Sequence, residues 1–466
     1  MNYPDYVLKY KTEGVEIRKF RDKYYAYRIT SVYDREKKRA RKVTLGYLGI
    51  VTENGIVRAN DNIIRYDYEY GNINYILSLT SNLIKILKDE FTKDYNDILS
   101  LSIIRLLSPL PIRSINYYLD KTYLNKITSL NPKKISLLLK NTGSSNKIYN
   151  VMKRLSTGKR YLLMDLTAFI SYSNNIEYLE KGYNKDHLQL PQYNLIMMYS
   201  IDYKVPAYMR LVYGSIRDIK TLVKTIDIAD INNVVIIADS GFYSSTNISK
   251  METSHIKYVV PLKRNNKLIK INNDFTDVFL YHNRPIKYWN VINVDKKHIY
   301  VFEDIKLKSE EDRARLLAMD NNKSLKNKYS KLEKHFGKIY LYSNINEKPE
   351  NIYNMYKDRD NIEKSFDILK NIIDSDKSYL RDNDTLNGYM FVNFISLYIY
   401  YNILNDLRER GISNKYSVKD ILLLFSKIKV FNLNNKEVFG EVPKKVEKLY
   451  ELLKVDNDIL RKYVRV

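Results

Sequence analysis

The chain has 466 residues, of which 44% are hydrophobic and 28% charged, and carries a formal net charge of +24. That length exceeds one simple core and that composition is too apolar for disorder, so about two to four domains or subdomains are expected. The charge favours a polyanionic partner, nucleic acid ahead of an anionic membrane surface. The absence of cysteine excludes disulfides, thiolate zinc sites and cysteine nucleophiles.

No run of about 18 apolar residues occurs, so no membrane span is expected. The richest stretch, MFVNFISLYIYYNIL (390–404), is interrupted by Asn393, Ser396 and Asn402 and reads as a buried helix. The first residues, MNYPDYVLKYKTEG, lack the apolar core of a secretory signal, which makes a cytoplasmic DNA- or RNA-handling protein the default expectation.

Residues 1–70 read as a basic, β-rich module. YYAYRITSVYD alternates as a strand does, DREKKRARK (34–42) is a charged turn, and VTLGYLGIV is a second strand. The turn is either a solvated hairpin tip or a loop that grips phosphates without reading sequence. Residues 71–156 carry apolar positions at helical spacing, a helical subdomain with DNA binding as one possibility. From residue 157 to 263 the pattern becomes α/β. YLLMDLTAFISYS is a strand, YNLIMMYSID and VPAYMRLVYG form a hairpin, RDIKTLVKTIDI is a helix capped near Asp218, and NNVVIIADSGFY holds a strand buried on both faces. SSTNISKMETSH and IKYVVPL follow as helix and strand, so a mixed sheet flanked by helices is expected. Residues 264–346 read as an insertion, 347–408 resume the α/β pattern, and 409–466 read as a basic helical tail.

Two aspartates stand out. Asp165 lies inside an apolar strand and Asp239 ends one. Burying an unpaired carboxylate costs several kcal/mol, so such residues are usually paired, metal-bound or at a strand's exposed end. Asp239 also suits a plain D-S-G-F turn, with Gly241 free to take positive φ, and Asp165 also suits a strand face turned outward.

The segment YKDRDNIEKSFDILK adds a third acid. At about 100° per residue, Tyr356, Arg359, Glu363 and Lys370 fall within about 60° of one another. Met355, Ile362, Phe366, Leu369 and Ile373 form an apolar stripe beside them. Arg359 and Glu363 suit an ordinary i,i+4 surface pair, and Asp358, Asp360 and Lys364 a solvated backdrop. The polar face abuts the packing stripe, however, which would let Glu363 converge with acids at strand ends. Three such carboxylates suit two Mg²⁺ ions acting on a phosphodiester. Arg359, Lys370 and Tyr356 would meet the phosphates.

Y-x2-R-x3-E-x6-K, spanning Tyr356, Arg359, Glu363 and Lys370, resembles the signature of the DDE transposases of prokaryotic insertion sequences. DLT at Asp165–Thr167 and ADSGFY at Ala238–Tyr243 resemble their first two acidic motifs. GYNKDHLQLPQ, which holds His187, and YGSIRDIKTL are similar to intervening family segments. The resemblance covers about residues 161–404. It implies a ribonuclease-H-like core with a β-rich insertion between Asp239 and Glu363, and Asp165, Asp239 and Glu363 as catalytic residues and ligands of two Mg²⁺ or Mn²⁺ ions. It implies cleavage of double-stranded DNA at terminal inverted repeats, then strand transfer into target DNA, with a homodimer joining the two ends. In relatives an aromatic of the insertion can hold a flipped base. Trp289, the only tryptophan, reads more simply as a packing residue. Two other readings stand beside this one: a nuclease of the same fold without strand transfer, and a transposase-derived DNA-binding protein without chemistry.

Overall fold

Alternation of apolar and polar residues draws the N-terminal segment into strands. The structure, a computed structural model, describes all residues except 1–2, 35–36, 58–63, 160, 172, 174, 182–189, 216–220, 222–223, 227, 229–233, 239–242, 270–275, 295–296, 322–325, 374–376, 379, 434–435 and 457–466. Asp239, Gly241, Asp218 and His187 therefore lie outside the described residues. The chain divides into two units, Met1–Tyr70 with Lys427–Pro443, and Gly71–Ser426 with Lys444–Val466.

The first unit opens with a short helix, α1 (Asp5–Leu8), then β1 (Val15–Phe20), β2 (Lys23–Asp34), β3 (Arg39–Thr52) and β4 (Gly55–Val57) in an antiparallel sheet of that order. Its core is Val7, Ile17, Tyr24, Ala26 and Val51. The charged turn is shorter than the sequence suggests. β3 begins at Arg39, so Arg39, Arg41 and Lys42 are strand residues opposite Asp34, Val32 and Ser31. Cross-strand pairing holds these residues in the ladder despite their charge. β5 (Ile64–Glu69) leads out of the unit.

The second unit starts with the expected helices: α2 (Gly71–Leu79), α3 (Ser81–Glu90), α4 (Tyr95–Leu107), α5 (Ile115–Leu119), α6 (Pro132–Gly143) and α7 (Lys147–Ser156). β6 (Leu162–Ser171), β7 (Glu180–Lys181), β8 (Pro191–Ser200) and β9 (Val205–Tyr213) follow, and β8 pairs antiparallel with both β6 and β9. The β8–β9 turn places Lys204 at φ 53°. Helical residues at 221, 224–226 and 228 mark α8. β10 (Val235–Ile237), α9 (Ser245–Thr253) and β11 (Lys257–Pro261) come next; β10 runs parallel to β11 and also packs beside β6. Ser244 caps α9 by accepting from Asn247 N at 3.1 Å.

The segment expected as an insertion holds β12 (Asp277–Tyr281), β13 (Arg284–Val294), β14 (Lys297–Asp304), α10 (Ile305–Asn321), α11 (Lys326–Glu333) and β15 (Lys338–Ser343). Its strands extend the sheet that β10 and β11 begin, in the order β10-β11-β15-β14-β13-β12. α12 (Pro349–Lys357), α13 (Arg359–Asp367), a π turn at Ile368–Ile372, β16 (Lys377–Ser378), α14 (Asn383–Glu409) and α15 (Val418–Phe425) complete this part. α14 packs on α2, α4, α6, α15 and β9, so the apolar stretch beginning at Met390 is a buried core helix. Among the described residues no single helix is long and apolar enough to cross a membrane.

The C-terminal segment, expected to be helical, returns to the first unit as a hairpin. β17 (Lys429–Leu433) pairs with β18 (Lys436–Phe439) and antiparallel with β5. KVFNL alternates buried and half-buried positions, a period of two that lies hidden between helical runs. α16 (Lys444–Leu452) then rejoins the second unit, where Asn74 donates to Tyr450 Oη at 2.7 Å.

Candidate active site

β6 begins with three buried residues, Leu162, Leu163 and Met164, and burial lapses to half-buried over Asp165–Ala168. Asp165 sits opposite Met197 of β8, and its Oδ1 accepts from Leu166 N at 2.8 Å. Asp165 is half-buried, so the full cost of sealing an acid inside an apolar strand does not arise. β10 ends at Ile237 beside β6, and Ala238 N donates to Val259 O at 3.3 Å. Asp239 is the next residue in the chain and lies outside the described residues.

The third acid comes from a segment that is not the single regular helix its spacing suggests. α12 stops at Lys357, Asp358 makes an i→i+3 step by accepting from Asn361 N at 2.9 Å, and α13 starts at Arg359. After Asp367 the chain passes into the π turn, where Ile373 N donates to Ile368 O at 3.0 Å. The ideal angular reading therefore holds within α13 but not from Tyr356 to Lys370. Asp and Asn side chains compete with the backbone for hydrogen bonds, which favours a break at Asp358–Asn361. Asn361 Nδ2 donates to Asp358 Oδ1 at 3.2 Å.

α13 packs on β6 and β8, and its Ile362 and Phe366 are both buried. Glu363 is exposed, and Arg359 Nη2 donates to its Oε1 at 2.7 Å. Lys370, in the π turn, donates from Nζ to Ala168 O at 2.8 Å and lies 4.9 Å from the centroid of Phe169. Lys370 thus reaches the strand of Asp165. Tyr356 is half-buried at the end of α12. The described residues therefore join Arg359 to Glu363 and Lys370 to β6, and bring the elements of Asp165 and Glu363 into contact. Among the described residues no group of three or more histidines or acids gathers as a metal site.

Sequence reasoning missed three supporting residues. Asp358, which the sequence pattern places on a solvated face, is half-buried, and burial pushes its carboxyl above the ordinary aspartate range against the pull of Lys204, Asn361 and His282. Asp360 and Lys364 are exposed as expected. Ser365, fully buried, bonds Tyr401 Oη of α14 at 2.7 Å. Burial pushes the Tyr401 phenol up to about 12, so it stays a neutral partner. Arg105 of α4 is 4% exposed and donates to Asn393 Oδ1 at 3.2 Å, Leu110 O at 3.0 Å, Tyr389 Oη at 3.0 Å and Ile373 O. It thereby clamps the end of the π turn to α14. A lone cation in the apolar run ILSLSIIRLL is the signal that could have found it. Trp289 is buried, with Lys338 Nζ 5.0 Å from its ring centroid, which is a packing position.

Residues 156–399, more than half of the chain, match the sequence profile described as Transposase DDE domain. The chain belongs to the DDE-domain transposases. The matched span runs from the last residue of α7 into α14, so it takes in Asp165, Asp239 and Glu363. No curated protein matches this transposase by sequence. Among solved structures it is similar to the piggyBac transposase synaptic complex with hairpin DNA, determined by cryo-EM, at 11% identity and a TM-score of 0.41 over 88% of this chain and 85% of that one.

Proposed function

We propose that this transposase binds the ends of its element as double-stranded DNA, cleaves them by metal-dependent phosphodiester hydrolysis, and joins the freed 3′-hydroxyls to target DNA in a cut-and-paste reaction. Asp165, Asp239 and Glu363 are the catalytic residues in this reading. The observation that carries it is the packing of the Asp165 strand, β6, against the Glu363 helix, α13, with Lys370 of the following π turn donating to Ala168 O of β6. A ribonuclease-H-like core is supported by a mixed arrangement in which antiparallel β9, β8 and β6 lie beside parallel β10 and β11.

The donor set fits a hard cation, because the described acids are carboxylates that burial does not seal off. Asp165, Asp239 and Glu363 would hold two Mg²⁺ ions, or Mn²⁺ in their place, which supply activation of the attacking oxygen and stabilisation of the leaving one. Arg359, which grips Glu363 Oε1 in this structure, exchanges that partner for a phosphate and presents its planar fork. Tyr356 donates to the same backbone, and Lys370 adds a point charge near β6. Two ends must be held together for joining, so the acting form is a homodimer on terminal inverted repeats, in the nucleoid of a prokaryotic cytoplasm.

Incubation of the full chain with Mg²⁺, terminal-repeat duplex and a target plasmid tests this reading. Both a cleaved end and a joined product are expected, and both should vanish in Asp165→Ala and Glu363→Gln. Cleavage by Asp165→Ala overturns the site. Cleavage by the wild type without any joined product overturns strand transfer and leaves a nuclease.

A further inference from the structure

We infer that the far end of the β2–β3 hairpin is a DNA-docking arm that lies in the major groove of a duplex. This inference rests on the transposase reading for the identity of its partner, and on the first unit alone for its geometry. Ile29–Asp34 pair with Arg39–Thr44 in unbroken register. β1 pairs with β2 only up to Arg28, and β4 pairs with β3 only from Ile50 onward. Ile29 N still donates to Gly14 O at 2.8 Å, and beyond that bond this end is, among the described residues, a ribbon of two strands with no third strand in its sheet.

Such a ribbon is marginal in water without an apolar face to bury. Here the core of Val7, Ile17, Tyr24, Ala26 and Val51 lies at the other end of the sheet. The ribbon instead leaves Val32 51% exposed and Tyr33 63% exposed, so folding alone does not account for its length. Its charge is one-sided. Lys37, Lys38, Arg39, Arg41 and Lys42 are all exposed, against Asp34 as the acid among the described residues there. Lys42 lies 3.5 Å from Glu16 at the ribbon's base, and Asp34 Oδ1 is engaged by Lys37 N at 3.1 Å.

Shape and distribution select the partner. A two-stranded ribbon fits the major groove of B-DNA, about 12 Å wide and about 8.5 Å deep. Six residue pairs at about 3.4 Å per residue span roughly 20 Å along it. The register puts Val32, Arg41 and Arg39 on one face and Ser31, Lys42 and Tyr33 on the other. Cations on both faces meet phosphates on both walls of a groove. A membrane surface would call for apolar residues on one face and cations around it, whereas Val32 shares its face with two arginines.

The test is duplex binding by the full chain in EDTA, which separates docking from chemistry, followed by fluorescence anisotropy across a salt series. Lys38→Ala/Arg39→Ala/Arg41→Ala should bind terminal-repeat duplex at least about tenfold more weakly. The slope of log affinity against log salt should flatten by about 1 for each phosphate that the variant no longer neutralises. The charge-matched Lys306→Ala/Lys308→Ala/Arg313→Ala should keep wild-type affinity, and equal melting midpoints for both triples should show that neither unfolds. Retained affinity in the ribbon triple overturns the inference, and so does an equal loss in both triples. Loss of binding to phosphatidylcholine–phosphatidylserine vesicles with duplex binding intact also overturns it. If the cleavage assay fails while the ribbon triple still loses duplex binding, the catalytic reading falls and the docking arm stands.

Discussion

α14 runs 27 residues without a break, its first turn capped by Asp382 accepting from Thr385 N at 2.8 Å, and it is buried along most of its length. The segment from Pro349 to Ile372 packs in the same unit yet changes geometry twice, at Asp358 and again at the π turn. Both stretches carry apolar residues at helical spacing. They differ in what interrupts that pattern: the middle of α14, 389–401, is buried almost throughout and broken only by the uncharged Asn393 and Ser396, whereas the broken segment alternates its packing residues with Asp, Arg, Glu and Lys. Regular geometry follows where packing alone sets the sequence. Irregular geometry appears where side chains that are costly to bury alternate with those that pack on the sheet, and π turns are frequent at functional sites.

The largest expected effect comes from forcing α14 apart from its neighbour. Gly388 lies so close to α6 that a Cβ would sit 1.9 Å from Leu139 O, and a Cβ on Gly143 would sit 1.7 Å from Asp384 O. Neither clash is with the end of a flexible side chain, so the helices must separate. Gly388→Ala is expected to cost more than about 3 kcal/mol, beyond ordinary overpacking. Urea unfolding should show a lowered midpoint, and a midpoint within error of the wild type would show that the crossing yields.

Arg105→Met strikes where the two stretches meet. It leaves the carbonyls of Ile373 and Leu110, the Asn393 amide oxygen and Tyr389 Oη without this donor. Buried acceptors left unpaired cost about 1–3 kcal/mol each, offset in part by removal of a buried charge. A net destabilisation of about 2–3 kcal/mol is expected on that balance. Metal-dependent cleavage should fall further than stability accounts for at a temperature where the variant is folded, because the π turn bearing Lys370 loses its clamp. Cleavage that stays at the wild-type rate in the folded variant would show that Arg105 serves α14 alone.

Much of this was legible in the chain itself. β6, the β8–β9 pair, α9, β11 and the helices before residue 157 follow from periodicity and caps. The elements bearing Asp165 and Glu363 pack together, and the apolar residues beside Glu363 in the sequence are among those buried. What was not legible depends on contacts distant in sequence. The π turn and the break at Asp358 cannot be read from a fixed 100° step, because side-chain hydrogen bonds and the clamp from Arg105 decide them. β17 and β18 stayed hidden because the strand that completes their sheet, β5 on β17, lies hundreds of residues away. Lys370, expected to face phosphate, is seen on Ala168 O, a contact that only the folded sheet supplies.

The smallest effect, and the one that sharpens the comparison most, is at the first break. Burial raises the Asp358 carboxyl above its unfolded value, so the folded protein holds the proton more readily than the unfolded chain does. The contribution of Asp358 to stability is fully present below the ordinary aspartate range and is lost as pH rises through the raised value. Asp358→Asn keeps an oxygen for Asn361 Nδ2 and removes the ionisation. It is expected to raise the melting midpoint near neutral pH by less than either change above lowers it, and the gain should vanish in acid, where the wild type is protonated. A midpoint that falls at neutral pH would mean that attraction to Lys204 and His282 outweighs desolvation. Asp358 would then be a charge the fold holds for its own stability. A rise confined to neutral pH would place the break among sites where a carboxylate is kept against stability, in contrast to α14, whose polar residues are held by hydrogen bonds such as Ser396 Oγ to Ser102 O at 2.8 Å.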